Sequence, residues 1–276
     1  MAEYIPFFYD RLANRLDLVS WGGFPLNPFF TSQNGTVISL SALRDGSIGL
    51  GANDKSITDA QQSELSKSCE AHRAMYRKEE TRPNAPNVLA ITHPWYNFLS
   101  NWRLAVKNER HQQSLGYLEN LLNALSTLRT APQFKVVFFD LPEHYAAVSS
   151  TLLERHLVDD VLFTKPDSGH VDDKSGEIPK ASTFFIGGSY IWNDLCVYQS
   201  ASNIWIENPD SEIVLVPELT LTHPRNWLTK PEAKIPDKFA KIKGLEKDKA
   251  WLERLEKAAE RVNDVKTLDE VLKLAV

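Results

Sequence analysis

The stretch TFFIGGSYIWNDLCVYQSA (183–201) holds the residue type best suited to covalent chemistry, a cysteine near a helix start. Asn193 or Asp194 can cap that helix, which puts Cys196 in its first turn. Amide groups and the helix dipole there favour the thiolate, the reactive form of the side chain. A nearby cation would favour it further, and Lys165 at the end of VLFTK is the candidate. His93 ends NVLAITH just before Pro94, where an imidazole can carry a proton near neutral pH. Together the three predict attack on an amide or ester carbonyl, with backbone amides near Gly188 donating to the oxyanion. Each has a plainer competitor. Cys196 suits an apolar helix position, Lys165 an exposed strand end and His93 a satisfied structural histidine.

A second set of polar groups falls beside these. Asp140, Gly187, Gly188, Ser189, Tyr190, Asp194 and Glu218 all follow or end apolar runs, and they are expected to bind substrate. Asp140 equally suits a cap for the helix that begins at Pro142. The paired glycines permit a tight turn or a close backbone approach to a ligand. No G-x-G-x-x-G follows a strand, and GLGAND (49–54) lacks the Lys-Ser/Thr of a phosphate loop. Neither cysteine has a partner at zinc-ligand spacing. A site from His93, Asp140, His170 and Glu218 would borrow from four loops with no spacing signal. Neither a cofactor nor a metal is therefore expected.

The elements that must position these groups follow from periodicity. NVLAITH (87–93), FKVVFFD (134–140), DDVLFTK (159–165), STFFIGG (182–188) and SEIVLVPEL (211–219) read as strands. FKVVFFD is apolar throughout, as a strand buried on both faces must be. Residues 108–130 read as an amphipathic helix with Leu115, Leu118, Leu121, Leu122, Leu125 and Leu128 on one stripe. Residues 142–157 form another helix, with proline near its first turn. A third, from about 193 to 204, joins the last two strands. The link 169–182 is polar and reads as a loop. Strand alternating with helix predicts an α/β, Rossmann-like, mostly parallel sheet flanked by helices. In such sheets ligands sit beyond the carboxyl ends of the strands, where the candidates above fall.

The ends read differently. Residues 1–85 form an N-terminal layer, with a hairpin turning at Arg44-Asp45-Gly46 and a helix that starts in the capping box of Thr58 and Gln61. Leu65, Cys69, His72 and Tyr76 share one face of that helix, with Cys69 a buried filler. Residues 86–222 hold the α/β core. Residues 223–276 read as a proline-rich connector and two charged helices split near Asn263-Asp264, docked in cis, so that one compact domain is expected overall.

Composition sets the class. The 276 residues are 42% hydrophobic and 24% charged, with net charge −5 and two cysteines. That predicts a globular protein in a reducing compartment, the cytoplasm, with no nucleic-acid or membrane partner. Seven tryptophans are mostly packing residues.

Three fragments resemble the isochorismatase-like cysteine hydrolases. VLAITHPWYNFL (88–99) resembles the family's first strand and following loop, VLFTKPDSGH (161–170) its lysine strand, and FFIGGSYIWNDLCVYQSA (184–201) its cysteine strand, turn and helix. The resemblance implies a parallel α/β sheet, an Asp–Lys–Cys triad and amide hydrolysis, with Lys165 and Cys196 in the matching positions. Thr92-His93 stands where the family has its aspartate. The loop from Gly187 to Cys196 is longer than the family's, and the helix before the fourth strand is missing.

The expected function is thus a small-molecule hydrolase or transferase with a cysteine nucleophile. The alternative is a non-catalytic binding protein that keeps an enzyme-like fold, with exposed aromatics including Trp21, Trp95, Trp102, Trp192, Trp205 and Trp227 for a protein partner or a second copy. A third possibility is a nucleotide or sugar-phosphate enzyme using Asp140, Ser189 and Glu218 without covalent chemistry.

Overall fold

A computed structural model describes residues 59–77, 85–99, 109–165, 169, 171–172, 175–189, 195–221 and 262–276. The expected hairpin at Arg44–Gly46, the Thr58 cap, the connector 223–245, and Trp21, Trp102, Trp192 and Trp227 lie outside them.

The described elements, in chain order, are α1 (Asp59–Tyr76), β1 (Asn87–Thr92), α2 (Tyr96–Leu99), α3 (Glu109–Leu128), β2 (Phe134–Asp140), α4 (142–154), β3 (Asp160–Phe163), β4 (Thr183–Ser189), α5 (Leu195–Glu207), β5 (Glu212–Leu221), β6 (Val262–Val265) and α6 (Leu268–Lys273). The six strands form one all-parallel sheet in the order β3-β2-β1-β4-β5-β6. The α/β class holds.

Both faces of this sheet are buried, which is why its strands read as continuous apolar runs. Leu89, Ile91, Val136 and Phe138 face one core with α1, α3, α4 and α6. Val88, Ala90, Val137 and Phe139 face the other, where Val197, Tyr198, Ala201 and Ile204 of α5 pack. The division follows from the strand order. Running β1 to β3 moves one way across the sheet, and β4 to β6 moves the other way. Crossovers of one hand then put α3 and α4 on one face and α5 on the opposite face.

Two details differ from the sequence expectation. The split near Asn263-Asp264 is a strand, β6, with Ile213 opposite Val262 and Leu215 opposite Val265. Four residues with a polar centre carry too little alternation to signal a strand, and only the unpaired edge of β5 selects it. A short helix then starts at Thr267, whose hydroxyl accepts from the Glu270 amide while the Glu270 carboxylate accepts from the Thr267 amide. Leu268 and Val271 dock this helix on the α3 side of the core, in cis. Helix α4 also departs from regularity. It begins as one turn (Pro142–His144), widens into a π-turn at Tyr145–Ser149, and closes as Ser150–Glu154. Between Thr164 and Ser182 no helix occurs among the described residues, as the polar link predicts.

Helix α1 is fixed by polar contacts as well as apolar ones. Leu65 and Cys69 are buried, as is His72, while Tyr76 is exposed. Arg73 donates to both carboxylate oxygens of Asp160 at 2.6 Å and to the Ser175 carbonyl. His72 sits between the Tyr145 hydroxyl at 2.6 Å and Glu154 at 2.8 Å. The forked guanidinium contact fixes the helix azimuth against β3, which apolar packing alone leaves loose.

Burial raises the Cys69 thiol well above its ordinary range, with the carboxylates of Glu143, Glu70 and Asp140 adding to it. Burial likewise raises the Tyr117 and Tyr145 hydroxyls, with further contributions from Asp140 and Cys69 respectively. An acid raised in the folded state holds its proton there after the unfolded chain has lost it. Its stabilising contribution is full below the unfolded pKa and falls as pH rises beyond it. Urea unfolding should therefore give stability that declines above about pH 9, where free thiols and then phenols ionise. Tyr117→Phe should lessen the slope. Stability that stays flat to about pH 11 would contradict this reading.

Candidate functional site

The strand order reverses between β1 and β4. The crossovers from these two strands leave toward opposite faces, and in sheets of this order ligands bind where they part, beyond the carboxyl ends of the strands. The residues at this edge are Thr92 and His93 on one side and Gly188 and Ser189 on the other.

Gly187 and Gly188 are strand residues here, not a turn. Each lies where a side chain would collide: a Cβ on Gly187 would overlap the Leu219 carbonyl, and one on Gly188 the Thr92 carbonyl. Gly188 also has φ +151, which L side chains rarely adopt. The glycines thus serve close strand approach to β5 and β1.

His93 follows directly in the left-handed region, with φ +46. For a residue with a side chain this conformation costs about 1 kcal/mol or more and persists only where neighbours hold it. Four contacts do so. The His93 amide donates to the Phe139 carbonyl at 2.7 Å. Its carbonyl accepts from the Tyr96 amide at 3.2 Å and from the Ser189 hydroxyl. Its Nε2 meets the Thr164 hydroxyl at 2.8 Å. His93, Ser189 and Thr164 are all buried.

Asp140 is fully buried, and both of its oxygens are engaged within the protein. Oδ1 accepts from the Leu141 amide at 3.0 Å and lies 3.4 Å from His144 Nδ1. Oδ2 accepts from the Ser149 hydroxyl at 2.7 Å, and Ser149 in turn accepts from the Trp95 indole at 2.7 Å. Asp140 does not cap α4, whose cap residue is Leu141. Trp95 is likewise a core residue rather than an exposed aromatic, and Trp205 is partly buried.

On the opposite face, Thr92 donates to the Ser200 hydroxyl at 2.8 Å, and Ser200 donates to the Gly169 carbonyl at 2.9 Å. The Gln199 side-chain oxygen accepts from the Gly169 amide at 2.6 Å. Helix α5 thereby grips both backbone groups of Gly169, and a Cβ on Gly169 would overlap the Cys196 carbonyl. Cys196 does fall in the first turn of α5, and it is 1% exposed. Lys165 is exposed. Glu218 lies within β5, half-buried, and its carbonyl accepts from Asn120 at 3.0 Å. Tyr190, Asp194 and His170 lie outside the described residues.

The structure thus brings His93, Ser189, Gly188 and Thr164 together at the carboxyl edge of β1 and β4, with the Asp140 carbonyl against Thr164. Sequence reasoning missed Ser149, Gln199 and Ser200. Hydroxyl and amide side chains inside helices carry no periodic signal, so only tertiary proximity reveals their partners. Among the described residues no cluster of His, Cys, Asp and Glu could hold a metal ion, and no helix is long and apolar enough to cross a membrane. No protein-family model, curated protein or solved structure matches the chain.

The two sorts of glycine give a direct check. Gly188→Ala should destabilise the protein by about 2–4 kcal/mol, from steric overlap and an unfavourable φ. Gly116→Ala, in α3 with open space around it, should stabilise by about 0.5–1 kcal/mol. Urea unfolding of both variants checks the pair. A Gly188→Ala protein as stable as wild type would mean the β1–β4 approach is looser than described.

Proposed function

We propose that the protein is an enzyme that transforms a small polar molecule in the crevice between the carboxyl ends of β1 and β4. The observation that carries this reading is His93. A histidine held in a left-handed backbone conformation, at the point where a parallel sheet reverses its strand order, is a costly arrangement at the usual ligand position of such sheets. Its imidazole is the proton carrier in this reading, with Thr164 setting the ring orientation.

The chemistry proposed is hydrolysis or group transfer at an amide or ester, with Cys196 as nucleophile and Lys165 favouring the thiolate. Support comes from the first-turn position of Cys196 after β4, and from the resemblance of three chain fragments to isochorismatase-like cysteine hydrolases. The thiol is 1% exposed, so this reading requires a local opening before a substrate can reach it. A second reading, a nucleotide or sugar-phosphate ligand handled without covalent chemistry, is favoured by the strand order itself, which is the order of dinucleotide-binding sheets.

Iodoacetamide labelling separates the two, with buried Cys69 as the internal control. The covalent reading predicts that Cys196 in the native protein labels well below the ordinary thiol range of about 8.5, and that Lys165→Ala slows it at least about tenfold. Labelling of Cys196 only after unfolding would remove the covalent route. In that case ATP or ribose 5-phosphate at millimolar concentration should raise the melting temperature, and His93→Gln should abolish the rise. Neither reactivity nor a thermal shift would contradict both readings.

A further inference from the structure

Asp140 is an ionisable residue with 0% exposure, yet it does not cap α4. Burying a carboxylate is costly unless hydrogen bonds compensate it, so a use for it should be visible in what it holds. Two routes lead from Asp140 to His93. The first is through the backbone. The Asp140 carbonyl accepts from the Thr164 amide at 3.0 Å and lies 3.5 Å from the Thr164 hydroxyl, the group that meets His93 Nε2. The second is through the carboxylate. Trp95 donates to Ser149, and Ser149 donates to Asp140, in a chain whose direction an acceptor-only carboxylate fixes. Trp95 belongs to the turn His93-Pro94-Trp95-Tyr96, closed by the Tyr96 amide on the His93 carbonyl. The π-turn of α4 ends at Ser149. Such widened turns re-aim a side chain at the expense of regular hydrogen bonding, and they recur at functional sites.

We propose that Asp140 is a positioning residue for His93: its carbonyl orients Thr164 against the ring, and its carboxylate, through Ser149 and Trp95, clamps the left-handed turn that presents that ring. The functional meaning of this clamp rests on the reading of His93 as the proton carrier of the crevice; the clamp itself does not.

The test is NMR of the full chain labelled with 15N-histidine, with the His93 ring signals identified by their loss in His93→Gln. Wild type should show one dominant ring tautomer at His93. Asp140→Asn leaves a single side-chain oxygen to accept from both the Leu141 amide and the Ser149 hydroxyl, and Ser149→Ala cuts the chain at its middle. Both should shift the His93 ring 15N signals toward a mixed population, and Ser149→Thr should restore them. Leu128→Ala, a core truncation in α3, controls for general loosening and should leave the signals unchanged. Unchanged His93 signals in folded Asp140→Asn and Ser149→Ala, or an equal change in Leu128→Ala, would overturn the proposal. If Asp140→Asn does not fold, Ser149→Ala and Trp95→Phe decide, since each leaves the carboxylate in place. The functional reading fails separately: a tautomer shift in Asp140→Asn, with Cys196 unreactive in the native protein and no thermal response to ATP or ribose 5-phosphate, keeps the clamp and removes its catalytic meaning.

Discussion

Gly188 lies against the Thr92 carbonyl in a conformation that side chains disfavour, and the rest of the carboxyl edge depends on that approach. With β1 and β4 this close, Ser189 reaches the His93 carbonyl and Thr92 reaches across to Ser200 on α5. The first contact holds the left-handed turn after β1. The second joins the sheet to the helix that carries Cys196. The carboxyl edge is therefore fixed on both sides of the sheet by groups within one or two residues of a single strand-to-strand contact. A bulkier residue at position 188 would disturb both together.

The buried polar groups divide by role. Asp140, Ser149 and Trp95 form a buried, directed chain with each described bond matched donor to acceptor. Gln199 and Ser200 do the same for both backbone groups of Gly169. Buried hydrogen-bonded chains of this kind rigidify what they touch. They touch the turn after β1 and the first half of α5, the two places where the candidate chemistry sits. The His72 and Arg73 contacts serve a different end, anchoring α1 at the β3 edge.

Much of this fold was legible in the sequence, for physical reasons that also mark the limits. Apolar runs such as FKVVFFD exist because both sheet faces are covered, and the leucine stripe of α3 exists because one helix face is. These patterns gave five of the strands within a residue or two. The sixth, VNDV, gave none, because its pairing is dictated by the free edge of β5 rather than by its own residues. At the site, the positions of His93, Ser189 and Cys196 followed from their place after strands. The partners of Asp140 did not follow, since an Asp two residues before a helix-starting proline looks like a cap until Ser149 is seen beside it. In the sequence the paired glycines suggest a tight turn or a close approach to a ligand, whereas what lies against them is the backbone of the neighbouring strands.

The central claim is that the crevice between β1 and β4 is where this protein meets its ligand. A crystallographic fragment screen on the full chain tests it most directly. Fragments should gather beyond the ends of β1 and β4, in contact with His93, Thr164 or Ser189. Fragments that gather elsewhere and leave this crevice empty would contradict the account.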